Sequence, residues 1–283
     1  MQKKRLLSLL VYGHLKACVY CYTPITFWLY KNYMLGRLKK HIDTPSTAKD
    51  ECVFAIGDVH GCIDLLDKLI KNILEVLQAR QYNNRDVRLI FLGDIIDRGF
   101  DSLACLEAVH FLRSIGAELV LGNHEDLLLR TLSGDGYSQN IWLEHGGLQA
   151  LKAFDVMPPE PGEDSFDFGD RLRNAIPSHL VTMLEEAPLT KTSGDYLFVH
   201  AGLRPGIAIK KQTREDLLFI RREFTESNVS HSKVVVHGHT ISETVDIRKN
   251  RIAVDTGAYK TGRLSCIMLD GQARRVISVD AKS

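Results

Sequence analysis

The sequence predicts an α/β protein in which two mixed β-sheets pack face to face, with helices on their outer faces. Two observations lead to this prediction. Short β-branched and aromatic runs alternate with helical apolar patterns in residues 51–122, and the last third of the chain holds consecutive short strands joined by turns. Strand–helix–strand units form parallel sheets, whereas turn-connected strands form antiparallel ones. We therefore expect a parallel-rich first sheet and a second, more antiparallel one.

The predicted elements follow one another in a regular order. The first half holds three strands, at 52–57, 87–93 and 117–122. Helices are predicted between these strands, at 62–79 and 101–115. Residues 123–186 are predicted to be mostly helical, interrupted by a Pro- and acid-rich loop at 158–170. Five more strands are predicted in the last third, at 196–201, 233–238, 251–256, 263–270 and 273–280.

The first fifty residues differ in charge from the rest of the chain. Residues 1–49 hold nine Lys/Arg and one acid, Asp43, which leaves 27 bases and 34 acids in the remainder. We therefore predict an N-terminal extension and linker at 1–50 and a single folded domain at 51–283. A net-acidic domain without a basic, aromatic-interleaved stripe argues against nucleic acid as a partner.

The role of the N-terminal extension stays open. Its apolar run at 17–30 contains Pro24 and is shorter than the roughly 20 residues that a membrane span needs. Three interpretations remain: a peripheral membrane contact through residues 1–35, an unusual signal peptide, or an extension upstream of a true start at Met34. The last is slightly favoured.

Cysteine usage predicts a cytoplasmic protein. Four cysteines lie inside or beside apolar runs of the predicted domain, without the spacing of a disulfide framework: Cys52, Cys62, Cys105 and Cys266. Such residues are typical of reduced core positions. Cys18 and Cys21 form one CxxC without a second pair, which we interpret as incidental spacing.

Polar side chains gather where five of the predicted strands end. These five clusters read GDVHG (57–61), GDIIDRG (93–99), GNHE (122–125), VHAG (199–202) and VHGHT (236–240). Ligands bind beyond the carboxyl ends of strands in open α/β sheets, so the clusters are predicted to converge on one crevice. They supply six nitrogen or oxygen donors: Asp58, His60, Asp94, Asn123, His200 and His239. A mixed set without thiolate suits Mn²⁺, Fe or Zn²⁺, and the two oxygens of Asp94 could bridge a pair of ions.

The ordered set GDVHG, GDIIDRG, GNHE, HAG and HGHT resembles the calcineurin-like metallophosphoesterases, and among them the bacterial branch of the PPP-type serine/threonine protein phosphatases. The likeness covers roughly residues 51–270 and implies the family's α/β/β/α sandwich. It implies that Asp58, His60, Asp94 and His239 surround one metal ion, and that Asp94, Asn123 and His200 hold the other. Further family roles fall on five residues: the general-acid pair His124 and Asp97, and the phosphate-binding Arg98, Arg221 and Asn123.

This resemblance implies a metal-dependent phosphoric monoester hydrolase that acts on phosphoserine and phosphothreonine in proteins. Two divalent ions, Mn²⁺ foremost with Fe or Zn²⁺ as alternatives, would support in-line attack by a metal-bridging hydroxide. A serine alkoxide is a poor leaving group and needs a proton, which His124 could supply if Asp97 orients it. The planar fork of Arg98 suits two phosphate oxygens.

Two departures from the family pattern limit the inference. Leu121 stands before GNHE, where many relatives carry Arg, and the eukaryotic SAPNY signature is absent, so no eukaryotic-type regulatory subunit is implied. The main alternative is a symmetrical diadenosine tetraphosphate hydrolase or another small-molecule phosphoesterase. That cousin has the same metal motifs, but its second motif is typically altered, whereas Asp97-Arg98-Gly99 is intact here. A non-catalytic binding module is disfavoured because His124 and every predicted ligand are present.

Overall fold

The computed structural model describes residues 44–79 and 85–281. Four predictions concern residues outside these ranges: the membrane contact, the signal peptide, the start at Met34 and the incidental pair Cys18/Cys21. Within them, no helix is both long and apolar enough to cross a membrane.

The first sheet has five strands in the order β10–β9–β1–β2–β3. Their bounds are β1 (Glu51–Ile56), β2 (Asp86–Phe91), β3 (Glu118–Leu119), β9 (Arg263–Asp270) and β10 (Ala273–Asp280). Strands β1, β2 and β3 run parallel, as the βαβ pattern predicts. Strand β9 pairs antiparallel with both β1 and β10.

The second sheet also has five strands, in the order β4–β5–β6–β8–β7. They are β4 (Thr190–Ser193), β5 (Tyr196–Val199), β6 (Val234–His237), β7 (Asp246–Ile247) and β8 (Arg251–Ala253). The three central strands are parallel, and the edge strands β4 and β7 are antiparallel. The expectation of a more antiparallel second sheet is therefore wrong. The hairpin β9–β10 joins the first sheet because β9 pairs with the open edge of the apolar strand β1.

Helices connect the strands and cover the sheets. They are α1 (Ile63–Ala79), α2 (Ser102–Ser114), α3 (Asn123–Leu132), α4 (Gly136–Trp142), α5 (Leu148–Ala153), α6 (Ser165–Ala175), α7 (Ser178–Glu185), α8 (Arg214–Phe219), α9 (Arg222–Thr225) and α10 (Ala258–Thr261). A π-helical turn at Leu143–Gly147 joins α4 to α5, and a 3₁₀ turn spans Ile209–Lys211. The predicted loop 158–170 ends earlier than expected, because Asp164 caps α6 by accepting a hydrogen bond from the Phe166 amide.

The side chains of β1 show how the layers are built. Val53 and Ala55 face the second sheet and belong to a buried cluster that includes Phe198 and Val236. The alternate residues of β1, such as Phe54, pack against the helices on the other face. A strand buried on both faces reads as a continuous apolar run, which explains the sequence of β1. The result is a four-layer sandwich of helices, two mixed sheets and helices, which confirms the predicted fold class.

A short segment before β1 packs onto the folded domain. The Thr47 amide donates to the Gly271 carbonyl at 3.1 Å, and the Gly271 amide donates back to Thr47 Oγ1 at 2.9 Å. The Ser46 amide donates to Asp195 Oδ2 at 3.1 Å, and Tyr196 Oη donates to the Pro45 carbonyl. Residues 45–47 thus contact the body of the protein, although the boundary at residue 50 itself stays a prediction.

Candidate active site

The loops that follow β1 and β2 are joined by backbone hydrogen bonds. The amides of Val59 and His60 both donate to the carbonyl of Asp94, at 3.0 and 2.9 Å. The Gly61 amide donates to Ile95 at 2.8 Å. Because the two strands are parallel neighbours, their carboxyl ends meet at one edge of the sheet, and these bonds fix the two loops against each other.

Several residues of these loops adopt the left-handed backbone region that favours glycine. Seven described non-glycine residues have a positive φ, and five of them are residues that the sequence assigned to the site: His60, Asp94, Asp97, Arg98 and His239. Such backbone geometry costs on the order of 1–3 kcal/mol per residue and clusters at functional sites. The sharp turns aim consecutive side chains into the same crevice.

Glu125 is the buried carboxylate that holds the second loop in place. Its Oε2 accepts hydrogen bonds from the amides of Asp94 and Gly122, at 2.8 and 3.1 Å. Its Oε1 accepts from the amides of Ile95 and Ile96, at 2.7 and 3.2 Å. Burial and the nearby charge of Asp94 raise the pKa of Glu125 to about 7. Glu125 is the last residue of the GNHE motif, whose pattern alone indicated no role for it.

Asp94 lies between two groups of imidazoles. The possible ligand atoms of His60, Asp94 and His124 lie within 4.8 Å of one another, and so do those of Asp94, His200 and His239. Asp94 Oδ2 is 3.5 Å from His60 Nε2, whereas Asp94 Oδ1 is 3.4 Å from His200 Nε2. One carboxylate therefore presents an oxygen to each group, which is the arrangement that a bridging ligand requires.

Hydrogen bonds leave one ring nitrogen of His60 and of His200 directed into the crevice. His60 Nδ1 donates to the Ile96 carbonyl and His200 Nδ1 to the Leu92 carbonyl, each at 2.8 Å. The lone pair of each Nε2 atom is thereby free to bind a metal ion, as it does in protein metal sites. His200 Nε2 lies 2.8 Å from Asn123 Oδ1 and 3.1 Å from His239 Nδ1.

Asp58 completes the cluster from the other side. It accepts hydrogen bonds from the His239 amide, at 3.2 and 2.9 Å. Burial, and then the charges of Asp255 and Asp94, hold the pKa of Asp58 well above its ordinary value. Asp255 follows β8 and is itself buried, and burial raises its pKa to about 6. Asp255 is a further carboxylate of the site and was not among the predicted site residues.

These donors fit divalent cations. Buried carboxylates that repel one another are stabilised when a cation lies between them. Burial lowers the pKa of His60 and His239, which keeps both imidazoles in the neutral form that binds metals. His239 Nε2 is buried and has no protein hydrogen-bond partner. A dinuclear divalent metal site is consistent with this donor set, whereas the identity of the ions and the individual ligand assignments stay predictions.

His124 and Asp97 form a buried pair next to this cluster. His124 Nδ1 donates to Asp97 Oδ2 at 2.6 Å, and Trp142 Nε1 donates to both oxygens of Asp97, at 3.1 and 2.9 Å. The Asp97 amide donates to Ser102 Oγ at 2.9 Å. Burial lowers the pKa of His124 to about 4, so the ring is neutral in the protein alone. The contact with Trp142 was not predicted.

Arg98 is held at the mouth of the site by three contacts. Its Nη2 donates to His124 Nε2 at 2.9 Å, and its Nε donates to the His145 carbonyl at 3.3 Å. Its guanidinium carbon lies 4.8 Å from the ring centre of Tyr259. Gly146 allows this approach, because a Cβ there would come within 2.7 Å of Arg98 Cγ.

Arg221, the second predicted phosphate ligand, is exposed. Its Nη1 donates to the His239 carbonyl at 3.3 Å. His237 donates from Nδ1 to the Gly238 carbonyl and packs its ring on Phe224, with the ring centres 5.1 Å apart. The structure thus brings the predicted site residues to one crevice, with His237 beside it.

Comparisons with known proteins agree with this geometry. A sequence model of the calcineurin-like phosphoesterase family matches residues 53–261. A symmetrical bis(5′-nucleosyl)-tetraphosphatase from Methylococcus capsulatus is 32% identical over 155 residues, which cover 54% of this chain and 44% of that protein. The asymmetrical bis(5′-nucleosyl)-tetraphosphatase PrpE from Halalkalibacterium halodurans is 26% identical over 230 residues, covering 75% of this chain and 87% of that protein.

A solved structure described as a candidate diadenosine tetraphosphatase superposes with a TM-score of 0.55 and 20% identity. The match covers 83% of this chain and 98% of that one. At this level of identity the likeness concerns the fold alone.

Proposed function

Since the chain belongs to the family of calcineurin-like phosphoesterases, we propose that it is a dinuclear-metal hydrolase of dinucleoside tetraphosphates. The observation that carries the proposal is the position of Asp94 between two imidazole groups, directly beside His124 and Arg98. The names of the two relatives support the substrate class, because both are tetraphosphatases. This proposal replaces protein phosphoserine, the substrate that the sequence motifs favoured, with the alternative that they left open.

Six residues would hold the ions: Asp58, His60, Asp94, Asn123, His200 and His239. Their nitrogen and oxygen donors suit Mn²⁺, with Fe or Zn²⁺ as alternatives. Bound there, two divalent cations would lower the pKa of a water molecule and offset the charge on phosphoryl oxygens. Asp255 adds negative charge behind Asp58 and would strengthen the attraction for cations.

The remaining residues would bind the phosphate and orient the leaving group. The planar guanidinium of Arg98 can hold two phosphate oxygens, and Arg221 offers a second cation beside His239. A phosphate that draws Arg98 towards itself would free His124 Nε2, and the negative charge would raise the pKa of the ring. Asp97 keeps Nδ1 protonated, so that Nε2 faces the leaving group.

A second candidate, the protein serine/threonine phosphatase, is favoured by one specific observation. A serine alkoxide needs a proton as it leaves, whereas a nucleoside phosphate is a good leaving group without one. Hydrolysis of a phosphoanhydride does not require a general acid, so the buried His124–Asp97–Trp142 arrangement is better explained by a substrate with an alkoxide leaving group.

The test is a direct comparison of substrates with the purified full chain and Mn²⁺. We expect the highest kcat/KM with diadenosine tetraphosphate, against a phosphoserine peptide and a phosphotyrosine peptide. Chromatography of the products would distinguish symmetrical cleavage to two ADP from asymmetrical cleavage to ATP and AMP. A kcat/KM that is higher for the phosphoserine peptide would overturn the proposal in favour of the second candidate.

A further inference from the structure

A cleft of about 550 Å³ opens beside Arg98, between the first half of α1, the loop 98–101 and α10. We call it the Phe100 cleft and define it by Lys68, Lys71, Arg98, Phe100, Asp101 and Tyr259, which are among its lining residues. Its volume lies in the range of sites for small molecules, about 300–1,000 Å³. Arg98 lines the cleft and also donates to His124 Nε2, so the cleft and the catalytic crevice adjoin each other at this side chain.

Two aromatic side chains face this cleft although they contribute little to the core. Phe100 is 83% exposed and Tyr259 is 38% exposed. The Tyr259 ring also contacts His60, with 5.2 Å between the ring centres, and lies beside the guanidinium of Arg98. Tyr259 therefore forms the wall that the cleft shares with the catalytic site. A solvent-exposed phenyl ring next to such a wall offers an apolar face to a flat ligand.

The charged residues of the cleft are mixed in sign. Lys68 and Lys71 lie one turn apart on α1, and Lys68 Nζ donates to the carbonyls of Asp280 and Ala281. Three carboxylates line the same space: Asp64, Asp67 and Asp101. Ammonium groups suit phosphate oxygens, and a carboxylate suits the hydroxyl groups of a sugar. Aromatic faces, cations and an acceptor for hydroxyls together match the three parts of a nucleotide.

We propose that the Phe100 cleft binds the nucleoside of a nucleoside polyphosphate, with the base against Phe100 and Tyr259. The phosphate chain then passes Arg98 to reach the catalytic crevice, and Lys71 lies beside it. This inference rests on the proposed function, because it names the subsite that would select a nucleotide for that reaction. A phosphopeptide is the less suitable occupant, because the aromatic and basic groups are gathered in one compact space.

The test compares two non-hydrolysable ligands that differ only in the nucleoside: α,β-methylene-ADP and methylenediphosphonate. Calorimetric titration of the Mn²⁺-loaded full chain should give about tenfold tighter binding of the nucleotide, since a base gains affinity by stacking on an aromatic residue. Phe100→Ala should abolish most of that difference and leave the affinity for methylenediphosphonate unchanged. Phe100→Trp should restore the difference.

Phe111→Ala is the matched control, because Phe111 is 63% exposed on α2 and does not line the cleft. It should leave both affinities unchanged. Circular dichroism of each variant checks the fold. Equal affinities of the wild type for the two ligands, or equal weakening of both by Phe100→Ala, would overturn the subsite. The subsite would also be overturned if Phe100→Ala weakened the binding of a phosphoserine peptide more than it weakened the binding of the nucleotide.

Failure of the subsite can be told apart from failure of the proposed function. If the wild type does not hydrolyse diadenosine tetraphosphate but still prefers the methylene-ADP through Phe100, the proposed reaction is wrong and the subsite stands. If it hydrolyses the tetraphosphate with a KM that Phe100→Ala leaves unchanged, the reaction stands and the subsite is wrong.

Discussion

The indole of Trp142 donates a hydrogen bond to both carboxylate oxygens of Asp97, at 3.1 and 2.9 Å. Both side chains are fully buried. One of the same oxygens accepts from His124 Nδ1 at 2.6 Å. The indole thereby fixes the plane of the carboxylate, and the carboxylate fixes the tautomer of the histidine.

Trp142→Phe should lower kcat for an alkyl phosphate, whose leaving oxygen needs a proton, by about tenfold while the protein keeps its fold. Phenylalanine fills most of the space but cannot donate, and leaving a buried carboxylate short of a donor costs about 1–3 kcal/mol. Steady-state kinetics and circular dichroism would measure the effect. Tyr137→Phe is the control, because Tyr137 is 77% exposed on the same helix. An unchanged kcat in Trp142→Phe would mean that Asp97 needs no orientation by the indole.

His124→Asn should slow hydrolysis according to the leaving group. An alkyl phosphate needs a proton on its leaving oxygen, so its rate should fall by about 10²–10⁴. p-Nitrophenyl phosphate and diadenosine tetraphosphate release weakly basic leaving groups, so their losses should be much smaller. Asp97→Asn should show the same pattern more weakly, and the double mutant should be less than additive.

Measuring the bound metal ions distinguishes a general-acid role of His124 from a role as a metal ligand. His124 Nε2 lies 3.9 Å from Asp94 Oδ2, and both residues belong to one potential ligand group. Loss of an ion in His124→Asn, together with equal rate losses on all three substrates, would make His124 a ligand and refute the general-acid assignment.

Asp94→Asn should remove both metal ions and all activity. The two oxygens of Asp94 face different imidazole groups, and an amide cannot present negative charge to both. Elemental analysis after gel filtration would count the ions. Asp64→Asn, a change to an exposed carboxylate on α1, should keep both. Two ions retained in Asp94→Asn would exclude the bridging role.

Glu125→Gln should lower the thermal stability of the metal-free protein. Four backbone amides donate to this carboxylate, and an NH₂ group in place of one oxygen would face donors that it cannot accept from. A cost of about 1–3 kcal/mol corresponds to a Tm lower by roughly 2–12 °C in a domain of this size. Differential scanning calorimetry would measure it, with the exposed Glu144→Gln as a control that keeps its Tm. Equal Tm values for the two variants would contradict the role given to Glu125.

Removing residues 1–44 should leave activity nearly unchanged, because every predicted site residue lies beyond residue 51. Removing residues 1–48 should in addition lower Tm. The longer deletion loses the bonds of Ser46 and Thr47, and that from the Ala48 amide to Ser193 Oγ. Each such bond contributes about 0.5–1.5 kcal/mol. A folded 45–283 fragment that binds no metal would show that the N-terminal extension is part of the site.

Local sequence patterns were enough to predict the site residues that come directly after a strand. Each of these loops shows the same pattern: a short apolar run is followed within a few positions by a glycine and a polar side chain. Asp255 follows β8 in the same manner, so the same pattern marks it although it was not predicted as a site residue. Trp142 could not be found in this way, because its contact with Asp97 arises from packing between distant segments.

The fold class could be predicted from the order of strands and helices, but the strand partners could not. The pattern of β9 identifies a strand without indicating which edge it pairs with, and its assignment to the second sheet was wrong. The edge strands β4 and β7 were missed because four and two residues are too few for a periodic signal.

The pairing of β1 with β9 has a consequence for the synthesis of the protein. Cys52 in β1 pairs with Asp270 in β9, which lies far along the chain from it. The ribosome synthesises β1 well before β9, so one edge of β1, which is apolar from Cys52 to Ile56, stays open until β9 has been made. Unpaired apolar edges are templates for association with other chains. Residues 52–56 are therefore the edge at which an unfinished chain is open to association with other chains until β9 covers it.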